Sequence, residues 1–223
     1  PGAAFAQTAS AAPVGGERAT FVIRHGDDTV ATEEFARSAT EIEGRLLFRK
    51  HKHLSERYRA VLAPDATLPL VEITVRNGPD SGKVQAKFTE RARLIFRDDS
   101  VAVDDAGSRG LKTLVLPTER GAVPYLNLSF GLLEQALRRA AVLGAGPVEV
   151  PFFNLSAGAE RGGQTVRGTV TRVGADSATI AIGTVEFRLE VDGEGRLLGG
   201  GIPAQRLTVE RVSSQQSAVS SEQ

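Results

Sequence analysis

The chain has 223 residues, 27 basic against 27 acidic, is 41% hydrophobic and 5% aromatic, and contains no cysteine, methionine or tryptophan. That length suits one large β domain able to bury a core of its own. The missing cysteines exclude structural disulfides, thiolate zinc sites, thiol nucleophiles and a lipid-modified cysteine, and the even charge balance argues against whole-molecule steering onto nucleic acid.

In chain order, Ala4-Phe5-Ala6 before Gln7 reads as the small-residue cleavage site of a secretory signal, with Ala9-Ser10-Ala11 as a second candidate. Residues 1–16 are therefore read as a signal remnant and flexible arm. The expected location is periplasmic or secreted, soluble after cleavage or peripheral to a membrane. No stretch reaches the roughly twenty apolar residues needed to cross a bilayer, since Val123 to Leu143 carries Glu134, Arg138 and Arg139.

Residues 17–212 read as a single β-rich domain. Alternating runs bounded by Gly, Asp, Asn and Pro predict an antiparallel meander, opening with a hairpin from Thr20–Arg24 and Thr29–Arg37 about His25-Gly26-Asp27-Asp28. Further strands are expected at 41–48, 58–62, 70–76, 84–89 and 93–96, with turns at Ala63-Pro64-Asp65 and Asn77-Gly78-Pro79-Asp80. Shorter strands at 101–103 and 112–116 flank Asp104–Gly110, which reads as an exposed loop.

The period then changes. Ser129 caps a predicted helix whose apolar face is Leu132, Leu133, Ala136, Leu137, Ala140 and Ala141, with Glu134, Arg138 and Arg139 on a wet face and Gly144 as the stop. Strand spacing returns at 148–153, 165–173, 178–182, 185–191 and 207–212, with turns at Gly174-Ala175-Asp176 and Asp192-Gly193. Gly199-Gly200-Gly201 marks a bulge or close approach. Residues 213–223 are too polar to build a core and read as a tail. The expected fold is mainly β: an antiparallel meander forming a curved open sheet or half-barrel, with one amphipathic helix packed on it.

Over residues 17–212 this order of elements resembles the periplasmic lipoprotein-carrier class of half-barrel proteins. The likeness lies in the order of elements and no specific motif carries it. The resemblance implies an apolar concavity closed by the helix, with Leu133, Leu137, Phe152 and Phe153 as ligand-binding candidates for a lipid or other apolar molecule. The chain departs from an adaptable apolar site in having neither Trp nor Met.

The chemistry-bearing residues are few. His51 and His53 lie among Arg49, Lys50 and Lys52, whose charges oppose a divalent ion, and Asp98-Asp99 with Asp104-Asp105 lacks the helix-loop-helix calcium spacing. No Gly-x-Ser-x-Gly elbow and no Lys-Ser/Thr phosphate loop occurs. We therefore expect no catalytic residues, no metal and no cofactor. The basic segment 45–59 offers Arg49, Lys50, Lys52 and Arg57 for contact with an anionic surface. By elimination, the leading expectation is a non-catalytic exported protein acting as an extrinsic structural or accessory subunit of a membrane or envelope assembly. Its partners would be a membrane-protein or envelope complex and an anionic lipid surface, and not nucleic acid. The alternative is a periplasmic carrier or binding module for a lipid or other apolar ligand.

Overall fold

The computed structural model describes residues 16–49, 54–77, 88–107, 110–155 and 163–213. The first half of the chain is an uninterrupted antiparallel meander: β1 (Glu17–His25), β2 (Asp28–Arg37), β3 (Glu41–Phe48), β4 (Leu54–Val61), β5 (Leu70–Asn77), β6 (Phe88–Phe96), β7 (Ser100–Gly107) and β8 (Gly110–Pro117). A two-residue strand β9 (Val123–Pro124) leads into helix α1 (Phe130–Leu143). The second meander follows as β10 (Val148–Asn154), β11 (Gln164–Val173), β12 (Ser177–Ile182), β13 (Val185–Val191), β14 (Leu197–Ile202) and β15 (Leu207–Ser213).

All fifteen strands belong to one curved open sheet in the order β8-β7-β6-β5-β4-β3-β2-β1-β15-β14-β13-β12-β11-β10-β9. The two meanders are joined by β1 against β15, from Ala19 opposite Ser213 to His25 opposite Leu207. Beyond the last strands, Thr118 Oγ1 lies 2.8 Å from Thr165 Oγ1 and Arg167 pairs with Glu119 at 3.0 Å, so the sheet curls until β8 approaches β11 without pairing to it. The mainly β, half-barrel expectation holds.

Period-two alternation sets the faces. Phe21, Glu33, Leu46 and Glu56 form one inward row across β1–β4, and Ala19, Phe35, Gly44, Tyr58, Ile73 and Ala92 form the next across β1–β6. On the outer face, Glu43, Arg59, Glu72, Arg93 and Asp104 stand side by side across β3–β7 as a ladder of alternating charge. Such exposed cross-strand pairs contribute little each, but together they keep the outside of the sheet wet.

Helix α1 fills the concave side. It begins as the sequence predicts, with the Ser129 hydroxyl accepting from the Leu132 N–H, and it stops at Gly144, whose N–H donates to the Ala140 carbonyl. Close entry is permitted by glycine: a Cβ on Gly131 would overlap the Tyr58 hydroxyl and the Phe35 ring, and one on Gly44 would overlap the Tyr58 ring. Gly163 and Gly168 make the same room beneath the Phe153 and Phe152 rings.

Three expectations need correction. The wet face of the helix does not exist as such: Glu134 is fully buried and Arg139 nearly so, while Ala141, expected on the apolar face, is exposed. Enclosure by the sheet takes Glu134 out of solvent while Arg138 keeps partial exposure, and arginines from β2 and β15 replace the water around Glu134. Asp104–Gly107 is not loop but the second half of β7, whose partner β8 starts at Gly110, because cross-strand pairing outweighs the turn-like composition of the segment. The separate runs 84–89 and 93–96 are partly one strand, β6, pairing continuously with β5 from Phe88 to Ile95; residues 84–87 lie outside the described residues.

Candidate functional site

The structure concentrates its buried polar chemistry where the helix meets the sheet. At the helix start, the Glu33 carboxylate on β2 accepts four hydrogen bonds. Oε1 takes the Tyr58 hydroxyl at 2.7 Å and the Ser129 hydroxyl at 2.8 Å, and Oε2 takes the N–H groups of Phe130 at 2.7 Å and Gly131 at 3.1 Å. A strand carboxylate thus satisfies the orphan donors that every helix N-terminus presents and complements its positive end. Complete burial pushes the Glu33 pKa up to about 7, against the downward pull of the four hydrogen bonds. Burial, followed by the neighbouring Glu33 charge, raises Tyr58 well above the usual phenol range.

One turn on, Glu134 collects three arginines. Arg211 from β15 donates to it at 2.8 Å, Arg138 lies 3.3 Å away and Arg37 from β2 lies 3.5 Å away, while the Leu197 N–H donates at 3.0 Å. Arg211 also bonds Glu17 and the Leu197 carbonyl, and its guanidinium sits 5.3 Å from the Phe21 ring centre. Arg37 Nη1 donates to Gln135 at 2.6 Å, but its Nε and Nη2 are buried without a hydrogen-bond partner, and burial lowers its pKa to about 10. Gln135 and Arg139 reach the carbonyls of Ala66 and Asp65, both at 2.7 Å, tying the helix to the β4–β5 connection.

The candidates for an apolar ligand site are all core. Leu133, Leu137, Phe152 and Phe153 have exposures of 4%, 6%, 1% and 0%, and Phe153 packs edge-on against Phe96. Beside Leu137 a pocket of about 150 Å³ is lined by Ala140, Val148, Val170, Ala178 and Val191. A larger groove of about 770 Å³ lies on the outer side of the second meander, between Thr179, Arg188 and Glu190 on one flank and Pro203, Arg206 and Thr208 on the other. Gly200 and Gly201 form its floor, because a Cβ on either would collide with the carbonyl of Arg188 or Leu207, so strand β14 carries no side chain there.

Of the anionic-surface candidates, Arg49 is exposed just past β3 and Arg57 is exposed on β4, whereas Lys50 and Lys52, with His51 and His53, lie outside the described residues. Their neighbours are matched by acids: Arg45 lies 3.7 Å from Glu34, and Arg59 grips Glu41. Among the acidic residues considered for calcium, Asp104 accepts from the Thr113 hydroxyl at 2.8 Å, and Asp98 is 3.6 Å from Arg120. Among the described residues, no three His, Cys, Asp or Glu side chains gather at metal-binding distance.

Sequence reasoning missed Glu33, Glu134, Arg37 and Arg211 as a buried set. One signal was present: Glu33 occupies an inward position of β2, between Ala31 and Phe35, where alternation calls for an apolar side chain.

The class this geometry defines is a β-barrel-like sheet wrapped around a single internal helix. No family model matches the chain, and comparison with curated proteins finds no match. Among solved structures, the fold is similar to that of a DUF1089 family protein from Pseudomonas aeruginosa, with a TM-score of 0.54 and 17% identity over 77% of this chain and 89% of the other. It is also similar to a β-barrel-like protein of the domain of unknown function DUF1849 from Brucella abortus, with a TM-score of 0.53 and 12% identity over 90% of this chain and 96% of the other. At those identities the likeness is one of fold.

Proposed function

We propose that the protein is a non-catalytic exported component that works through its outer surface, as an accessory subunit of a membrane or envelope assembly. The carrying observation is the filled interior. The helix occupies the concavity where a carrier would hold an acyl chain, and the pocket beside Leu137 is about 150 Å³, short of the several hundred that a lipid-sized ligand needs. The groove on β12–β15 and the β8 edge, which no strand pairs among the described residues, lie on the outside, open to a partner. The Ala-x-Ala sites near the start of the chain support export.

The test is native mass spectrometry on the full chain gently extracted from its source envelope, with lipid analysis of the same sample. Co-purification with a membrane assembly and no small apolar molecule is the expected result. A stoichiometric lipid on each chain, released when Leu137 is replaced by Trp in a folded variant, would overturn the reading in favour of a carrier.

A further inference from the structure

Among the described residues strand β8 ends the sheet with no strand paired to its outer edge, and its sequence is self-complementary. Gly110 to Thr113 and Val115 are exposed. Leu111 is 75% exposed and Val115 69%, more than any other large apolar side chain among the described residues. Edge strands are ordinarily blunted by charge, proline or bulges. Here the pairing with β7 runs without a register shift from Gly110 to Pro117, the single charge is Lys112, and proline enters at the last position.

The backbone parity of this edge follows from one hydrogen bond. The Thr118 N–H donates to the Asp99 carbonyl at 3.0 Å, continuing the ladder in which residues 99 and 118 stand opposite. In an antiparallel pair the N–H and C=O of a residue point to the same side and alternate along the strand. Even-numbered residues of β8 therefore bond to β7, and Leu111, Thr113 and Val115 turn their N–H and C=O groups to the free edge. These are also the residues whose side chains face outward.

We propose that β8 pairs antiparallel with β8 of a second copy of this chain, about a two-fold axis through Thr113. Hydrogen-bonded pairing at this edge must match odd residues with odd. Centring on Thr113 sets Leu111 opposite Val115 of the second copy, Val115 opposite its Leu111, and Thr113 opposite Thr113. Leu–Val and Thr–Thr are favourable cross-strand pairs, and each exposed apolar side chain is covered by the other. A register centred on Lys112 would face lysine with lysine, and one centred on Val115 would face Thr113 with Pro117, which has no N–H to give. The pairing stands independently of the accessory-subunit reading, since a carrier would dimerise through the same edge.

The absence of cysteine from these 223 residues makes the test direct. Directly opposed residues of a hydrogen-bonded antiparallel pair have Cα atoms roughly 5.5 Å apart, within disulfide reach, whereas residues displaced by four positions are roughly 14 Å apart. Under mild oxidation Thr113→Cys is expected to become a covalent dimer, Leu111→Cys alone to stay monomeric, and an equal mixture of Leu111→Cys and Val115→Cys to cross-link heterotypically. In sedimentation velocity the unmodified chain is expected to be dimeric, and Thr113→Pro, which removes an edge-facing N–H and the hydroxyl bond to Asp104 but leaves the backbone bonds to β7 intact, to be monomeric with an unchanged far-UV spectrum. A monomeric unmodified chain at all concentrations, or equal cross-linking of Thr113→Cys and Leu111→Cys, would overturn the proposal. A β8 edge occupied by a different protein would appear as the first of these outcomes in the purified chain.

Discussion

Replacing Glu33 tests whether a strand carboxylate holds the internal helix. In Glu33→Ala the Tyr58 and Ser129 hydroxyls and the N–H groups of Phe130 and Gly131 lose a shared acceptor, all in a fully buried site. A buried donor left unsatisfied costs about 1–3 kcal/mol, so with the two hydroxyls free to turn elsewhere the two N–H groups alone set a loss of about 2–6 kcal/mol. Glu33→Gln keeps one acceptor oxygen but sets an amide N–H₂ against donors, and should lose about half as much. The pH dependence carries the sharper signature. Because burial raises the folded pKa from 4.5 to about 7, the native state holds its proton where the unfolded chain has released it. This contribution to stability is full below pH 4.5 and is lost as pH rises to about 7, about 3 kcal/mol at about 1.4 kcal/mol per unit. Urea unfolding at pH 5 and pH 8 measures it, with the glutamine variant subtracting the other groups, including Glu56, whose burial raises its pKa and gives the same sign. If Glu33→Gln falls in stability from pH 5 to pH 8 as steeply as the parent, the assignment of that slope to Glu33 is wrong.

Gly131→Ala places a methyl group on the Tyr58 hydroxyl and the Phe35 ring, so thermal unfolding should show a loss of about 1–3 kcal/mol despite alanine's better helix propensity. The two sheet arginines around Glu134 should respond unequally. Arg211→Met removes bonds to Glu134, Glu17 and the Leu197 carbonyl and should cost about 3–5 kcal/mol, while Arg37→Met removes one bond to Gln135 and a looser approach to Glu134, its Nε and Nη2 making no hydrogen bond, and should cost less, about 1–3 kcal/mol, both read by urea unfolding. Equal losses would show that Arg37 is as well partnered as Arg211. Charge reversal of Arg49 and Arg57 should abolish sedimentation with anionic vesicles at low salt if the basic segment meets membranes, and unchanged sedimentation would remove that role.

The strands were legible because alternation is a local property. β1, β2, β3, β13 and the helix with both its caps follow from spacing and turn residues alone. What spacing does not carry is which strands become neighbours, so the joining of β1 to β15 was out of reach, and with it the reason Glu134 is not on a wet surface. A charged residue at a helical polar position is ordinarily solvated; Glu134 is instead solvated by Arg211, 77 residues later. The basic segment was visible as composition, but the acids that face Arg45 and Arg59 come from neighbouring strands. Leu133 and Leu137, read as part of the helix's apolar face, are buried there, and Phe152 and Phe153 are buried on β10. The structure adds that the helix itself takes up the volume they would have lined.

The union of β1 with β15 has a consequence for how the chain assembles. Every other strand pairing joins consecutive strands, so this single ladder carries the longest contacts in the molecule, among them Arg211 to Glu17 across 194 residues. β1 has an empty flank, and the nearest of the three arginines around Glu134 is missing, until β15 arrives. A rearranged chain that starts ahead of β9, runs through β15, and passes by a short linker into β1 and on to β8 would make the same sheet entirely from successive neighbours. With its closing contact turned into a hairpin, such a permutant should reach the native sheet faster than the natural order does.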